Sequence, residues 1–435
     1  MALGLGLGLP FTAGRSVAPP QLSSLRFWGE PADLSGADVA SWAGRAPGSA
    51  TFTAIGGERP DASAAGLVFN GSDRMNVAAS TLGLSGATRA TIAGWVKINS
   101  AAFAANDTIF ASDAYPNGFA LANSLGTQWR WITYIGGASR NGTADNQQLP
   151  DGWQFVCASY DGTQATDDAR VSVYTLEHGQ TIATTLTTIG ASIPTAIPAA
   201  SGNAAIGDLP PFNRTAAWTQ GGLYIYAGAA LTSGEAVTLA RRSDPLRGKK
   251  SILPLGDSLV LGVGDGDAAG GFRGDLLTLA GSSEAFWFHG TTKNYNANAP
   301  NNRHSAVGGS KVDAHLAQWN AALAAGWTPD IILYCGGRND ISAGEIASLP
   351  ARYAALFAAF GGRRALVHTV VPGTAIPDAD TITANAHLAT AASAFPNVTI
   401  VTSAAYGAAD GVHPDATRYL QMATDGYWPV LSTLL

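Results

Sequence analysis

Two hydrophobic rhythms meet near residue 243. From about Leu25 to Ala240, short runs rich in β-branched and aromatic residues are separated by Gly, Asn, Asp and Pro at intervals of about 8–12 residues, the spacing of a sandwich of short strands. Strands are predicted at Gly66 to Phe69, Ala90 to Ile98, Trp153 to Tyr160 and Arg170 to Tyr174. Asn70-Gly71 and Asp161-Gly162 supply the positive φ that tight hairpins need. A short helix is predicted from Ser233 to Arg242, with Ser233 as its cap and Glu235 in its first turn. Ser243 to Lys250 is charged, contains Pro and Gly, and reads as a linker.

Beyond the linker, short apolar runs alternate with longer amphipathic stretches, which predicts a parallel sheet covered by helices. The runs are Ile252 to Leu255, Ala285 to His289, Asp330 to Cys335, Arg364 to Val371 and Asn397 to Thr402. Helices are predicted around Gly271 to Ala280, Asp313 to Ala325, Glu345 to Phe360, Asp380 to Ala394 and Asp415 to Leu434. This order predicts a flavodoxin-like three-layer α/β/α domain, in which sites form at the carboxyl ends of the strands.

A chain of 435 residues exceeds one ordinary core, and about 150 residues per domain predicts two or three units. The predicted layout is an apolar Gly-rich segment at 1–24, an all-β sandwich at 25–242, the linker at 243–250 and the α/β domain at 251–435. With 46% hydrophobic and 13% charged residues the chain is not disordered. Its net charge of −6 and lack of any Lys/Arg cluster exclude a phosphate-tracking surface, so no nucleic-acid partner is expected. No window reaches the roughly 18 apolar residues of a membrane span. Cys157 and Cys335 lie in apolar runs of different predicted domains and read as buried free thiols, which reveal no redox compartment.

The opening, Met-Ala-Leu-Gly-Leu-Gly-Leu-Gly-Leu-Pro-Phe, has no basic residue in front and is interrupted by Gly, so no signal peptide is evident. It is similar to the openings of some tailed-phage virion proteins, which implies docking on a larger assembly, virion or homo-oligomer; the alternative is a terminus packed on its own domain. The segments Leu67-Val68-Phe69-Asn70-Gly71, Thr91 to Lys97, Gly152 to Val156, Ala205-Ile206-Gly207 and Gly222 to Tyr226, in this order, resemble the laminin-G-like, concanavalin-type jelly roll. That resemblance implies a fold rather than a ligand.

Candidate chemistry lies in the second half. Ser258 follows the first predicted strand in Leu255-Gly256-Asp257-Ser258, where a tight turn presents a hydroxyl at the rim of the sheet. A serine needs a base, and His413 in Asp410-Gly411-Val412-His413-Pro414 offers an imidazole with Asp410 three residues before it, within reach of Nδ1. Read alone, Asp410 is a turn cap and His413 an ordinary surface residue. Attack on an ester makes an oxyanion that needs placed donors. Tyr334-Cys335-Gly336-Gly337-Arg338-Asn339-Asp340 follows the third run, and His304-Ser305-Ala306-Val307-Gly308-Gly309-Ser310 follows the second.

Together these four segments resemble the SGNH (GDSL) hydrolases over essentially all of 251–435. The resemblance implies Ser258 as nucleophile and oxyanion N–H donor, Gly309 (or its neighbour Gly308) and Asn339 as the other donors, and His413 and Asp410 as base and orienting acid. Arg338 departs from the usual small or hydroxylated residue and is a candidate contact for an anionic sugar, with ion pairing to Asp340 or Asp265 as the alternative. Asp257, also a candidate substrate contact, reads with Asp340 as a turn-holding residue. The acidic stretch Gly264-Asp265-Gly266-Asp267 is read as a solvated loop; no zinc-type cluster is seen, and the mechanism requires no metal or cofactor.

The expected activity is a carboxylic ester hydrolase removing small O-acyl groups, acetyl foremost, from a polysaccharide, outside the cell or on a virion. The alternatives are a lipid or aryl esterase, or a phage-tail receptor-binding protein whose esterase trims host glycan. Trp129, Trp131 and Trp218 are candidates for stacking on sugars, with core packing as the alternative.

Overall fold

The structure, a computed structural model, describes residues 18–435 except 35, 47, 58, 64–65, 99–106, 113–116, 125–127, 136–137, 148–151, 187, 191, 200–201, 208–216, 267–269, 283, 294–302, 376–377 and 405–409. Most of the apolar opening, with its expected docking role, lies outside these residues.

Two antiparallel sheets of eight and nine strands face each other. Alternate residues of each strand point to opposite faces, and the inward sets share one core: Phe69, Ile92, Val156, Trp218 and Ile225 from the first sheet meet Trp42, Phe52, Phe110, Phe119, Trp129 and Trp131 from the second. Cys157 is a buried free thiol on the outer face of the first sheet, which the helix Ser233–Arg242 covers through Ala236, Leu239 and Ala240. The cap of that helix is Thr232, not Ser233. Thr232 Oγ1 accepts from Glu235 N and Glu235 Oε2 accepts from Thr232 N, a reciprocal pair that requires a spacing of three residues.

The seven-stranded sheet follows. Lys250–Gly256 runs parallel to Ile331–Cys335 on one side, and to Phe286–Phe288 and then Arg303–Ala306 on the other; Arg364–His368 and Val398–Val401 extend it outward. The first strand is therefore flanked by strands reached in opposite directions, and a crevice opens at its carboxyl end. Ile252 and Leu253 sit in different cores. One contains Phe272, Tyr419 and Tyr427, and the other Trp319, Leu356 and Leu388, so helices cover both faces. The strand Arg303–Ala306 and the short helices Ser258–Leu261 and Arg338–Ser342 were not predicted. The predicted terminal helix runs without a gap from Ala416 to Leu431, as Ala416–Gln421, a π segment Met422–Tyr427 and Trp428–Leu431.

Residues 243–249 form a packed turn. Leu246 is buried, and His178 reaches both Asp244 Oδ2 (2.6 Å) and Lys249 O (3.1 Å). The segment around His178 also meets the α/β sheet. Glu177 accepts from Arg303, His178 O faces His289 Nε2, Gln180 pairs with Trp327, and Thr181 N donates to Gly326 O.

Candidate active site

Gly256 ends the first strand at φ 152, and a Cβ there would lie 1.9 Å from Cys335 O, so only glycine lets the two parallel strands meet at this point. The chain then turns sharply into the helix Ser258–Leu261. Asp257 caps it, its Oδ1 accepting from Leu259 N at 3.0 Å, which leaves Ser258 as the first helical residue. First-turn N–H groups have no partner inside a helix, and among the described residues no hydrogen bond to the Ser258 N–H occurs.

The imidazole of His413 stands over this turn, with Nε2 3.0 Å from Ser258 Oγ although 155 residues separate them. Its Nδ1 lies 2.7 Å from Asp410 Oδ2. Asp410 Oδ1 also accepts from Val412 N (2.8 Å) and His413 N (2.7 Å). The His413 backbone N–H, then the imidazole and the Val412 N–H, hold the Asp410 carboxyl well below the usual carboxylate range. This acid and its histidine form one self-bonded loop.

Two more segments converge here. Val307 to Ser310 is a turn closed by Ser310 N on Val307 O (3.2 Å) and tied to the first strand by Val307 N on Gly256 O (3.2 Å). Gly309 has φ 74, and the N–H groups of Gly308 and Gly309, at the exposed tip of this turn, have no backbone partner among the described residues. Asn339, in the first turn of Arg338–Ser342, donates through Nδ2 to Ser310 O (2.9 Å) and, at a longer 3.3 Å, to Asp257 Oδ2. Its amide thus bridges the serine turn and the glycine turn.

Two candidate substrate contacts are corrected. Asp257 is fully buried, and its carboxyl is engaged by Leu259 and Asn339; burial pushes its pKa up to about 7. It holds the turn and cannot touch a ligand. Arg338 is 2% exposed, and its guanidinium donates to Val371 O and Gly411 O, each at 2.8 Å, rather than facing a sugar. Asp340 instead takes Arg352 and the Val312 N–H that opens the helix Val312–Ala324. Asp265 accepts from Gly271 N at 2.7 Å, and Asp267 lies outside the described residues. Among the described residues no group of three His, Cys, Asp or Glu could hold a metal.

The aromatic candidates are also corrected. Trp129, Trp131 and Trp218 are at most 2% exposed, Trp131 stacking on Phe119 and Trp218 on Phe69 inside the sandwich. Ser310 and His315 were not anticipated. His315 Nε2 lies 3.0 Å from Ser310 Oγ and its Nδ1 3.0 Å from Tyr334 OH, a buried bracket for the glycine turn that only packing across 19 residues reveals.

No protein-family model matches the sequence, and no curated protein matches it. Among solved structures, a family 3 carbohydrate esterase of Clostridium thermocellum is 22% identical with a TM-score of 0.37, covering 43% of this chain and 98% of its own. A family 3 carbohydrate esterase of Talaromyces cellulolyticus is 19% identical with a TM-score of 0.34, covering 42% and 97%. Domain 4 of an extracellular arabinanase from Geobacillus stearothermophilus, solved with arabinotriose, is 16% identical with a TM-score of 0.34, covering 50% and 98%. At these identities and scores the likenesses assign neither family nor ligand to this chain.

Proposed function

We propose that this protein is a serine ester hydrolase acting through an acyl-enzyme. Ser258 Oγ attacks the ester carbonyl while His413 Nε2 takes its proton; Asp410 fixes the tautomer and stabilises the imidazolium. The oxyanion is received by the N–H groups of Ser258 and Gly309 and by Asn339 Nδ2, whose proton in the long 3.3 Å contact is the one a substrate oxygen can take over. His413 then protonates the departing alcohol, and a water it activates releases the acid. The observation that carries this reading is the 3.0 Å approach of His413 Nε2 to Ser258 Oγ.

The preferred substrate is a small O-acyl ester, acetyl foremost, on a polysaccharide, a reading that rests on the sequence resemblances of both halves. A sandwich that binds glycan would raise the effective concentration of ester groups at the site. Val263 and Val307, exposed beside the serine and glycine turns, favour a second reading with longer or aryl acyl groups. Acetate release from O-acetylated polysaccharides, compared with hydrolysis of acetyl and octanoyl nitrophenyl esters, separates the two. Ser258→Ala is expected to abolish every such activity, and retained activity in that variant overturns the assignment.

A further inference from the structure

The loop that carries Asp410 and His413 bonds mainly to itself. Val412 N, His413 N and the imidazole all engage the Asp410 carboxylate. This sets the relation of acid to base but says nothing of where the pair stands relative to Ser258. Among the described residues, two bonds from outside reach the backbone of 410–413, and both end on Gly411 O: Arg338 Nη2 at 2.8 Å and Ala375 N at 3.1 Å.

Arg338 is buried at 2% exposure and is joined directly in sequence to Asn339. Its planar fork spans two loops at once, Nη1 on Val371 O and Nη2 on Gly411 O. Gly373 passes against this fork, where a Cβ would lie 2.3 Å from Nη2 and 2.5 Å from Gly411 O. One rigid cation therefore ties the oxyanion segment, the loop after Arg364–His368 and the acid–base loop together.

We propose that Arg338 is a positioning residue that docks the preassembled Asp410–His413 loop onto the nucleophile, setting the distance from His413 Nε2 to Ser258 Oγ. The inference rests on the reading of Ser258, His413 and Asp410 as the reacting groups. A charge-assisted hydrogen bond to a carbonyl suits the task because it is short and directional. Losing it lets the loop shift as a body, and a displacement of about 1 Å at a reacting group costs on the order of 10²-fold in rate.

The test compares the steady-state kinetics of the full chain with those of Arg338→Ala, Asp410→Ala and Ser258→Ala on nitrophenyl acetate. In Arg338→Ala, kcat is expected to fall on the order of 10²-fold with KM within about threefold of the parent. Added guanidinium restores kcat in Arg338→Ala but not in Asp410→Ala. An Arg338→Ala protein with parental kcat, or with raised KM alone, overturns the inference while leaving the triad in place; activity in Ser258→Ala overturns the underlying reading instead. If Arg338→Ala shows no cooperative thermal transition, Gly373→Ala decides: it wedges the fork from Gly411 O with the arginine retained, kcat is expected to fall with KM kept, and a parental kcat refutes the role.

Discussion

In Asp410 one carboxylate oxygen is pinned by two backbone donors, Val412 N at 2.8 Å and His413 N at 2.7 Å, and the other faces His413 Nδ1 at 2.7 Å. Asparagine in this position has no freedom of orientation. Its oxygen must take the two N–H groups, so its NH₂ faces the imidazole, Nδ1 must accept, and the ring proton moves to Nε2. That proton then points at Ser258 Oγ where a lone pair is required. Comparable tautomer reversal in the Ser-His-Asp template costs on the order of 10⁴-fold in kcat.

Alanine removes the charge without dictating the tautomer. Two unit charges about 4 Å apart interact by about 1 kcal/mol in water and about 4 kcal/mol at an effective dielectric of 20. The Asp410 side chain is 54% exposed, so screening places the loss at about 1–2 kcal/mol, or roughly 5- to 30-fold, with a further cost for the freed loop. The chemically conservative Asp410→Asn is therefore expected to be slower than Asp410→Ala by at least about tenfold. Steady-state kcat on nitrophenyl acetate, with circular dichroism to verify folding, measures the difference. Equal rates, or a faster asparagine variant, would refute the pinned-amide reasoning.

Asn339→Ala is expected to lower kcat on the order of 10²- to 10³-fold with little change in KM, since its amide would serve the developing oxyanion as well as bridge the serine and glycine turns; a near-parental kcat removes it from the site. Gly256→Ala drives a Cβ to 1.9 Å from Cys335 O, an overpacking worth about 1–3 kcal/mol or more, and the thermal midpoint is expected to fall by about 4–10 °C. An unchanged midpoint would show that the strands can part without penalty. His178 faces acceptors from both ring nitrogens, Asp244 Oδ2 and Lys249 O, and although burial lowers its pKa these partners outweigh that and raise it. A raised folded pKa gives stability that is complete below the unfolded value of about 6.5 and is lost as pH rises through the folded one. The gap in thermal midpoint between the parent and His178→Gln is expected to narrow from about pH 6 to 9, and a constant gap argues against a charged interface histidine.

What the sequence by itself determined is local. The apolar run Ile252 to Leu255 marked a strand, Gly256-Asp257-Ser258 after it located a turn at a sheet rim, and the three-residue step from Asp410 to His413 sufficed for their bond. Where sequence reading fell short, partners came from distant segments. Thr232 took the cap because its spacing to Glu235, rather than residue preference, decides the box. Trp129 and Trp131, two apart on one strand, share a face, but only the packing of the two sheets makes that face the inner one. Arg338 has a long side chain that reaches many directions, and its orientation was decided by carbonyls 33 and 73 residues away, which offer a buried cation the acceptors it must have. The approach of His413 to Ser258 across 155 residues is of the same kind, since only the packing of two loops at the carboxyl end of the sheet brings the imidazole within hydrogen-bonding distance of the hydroxyl.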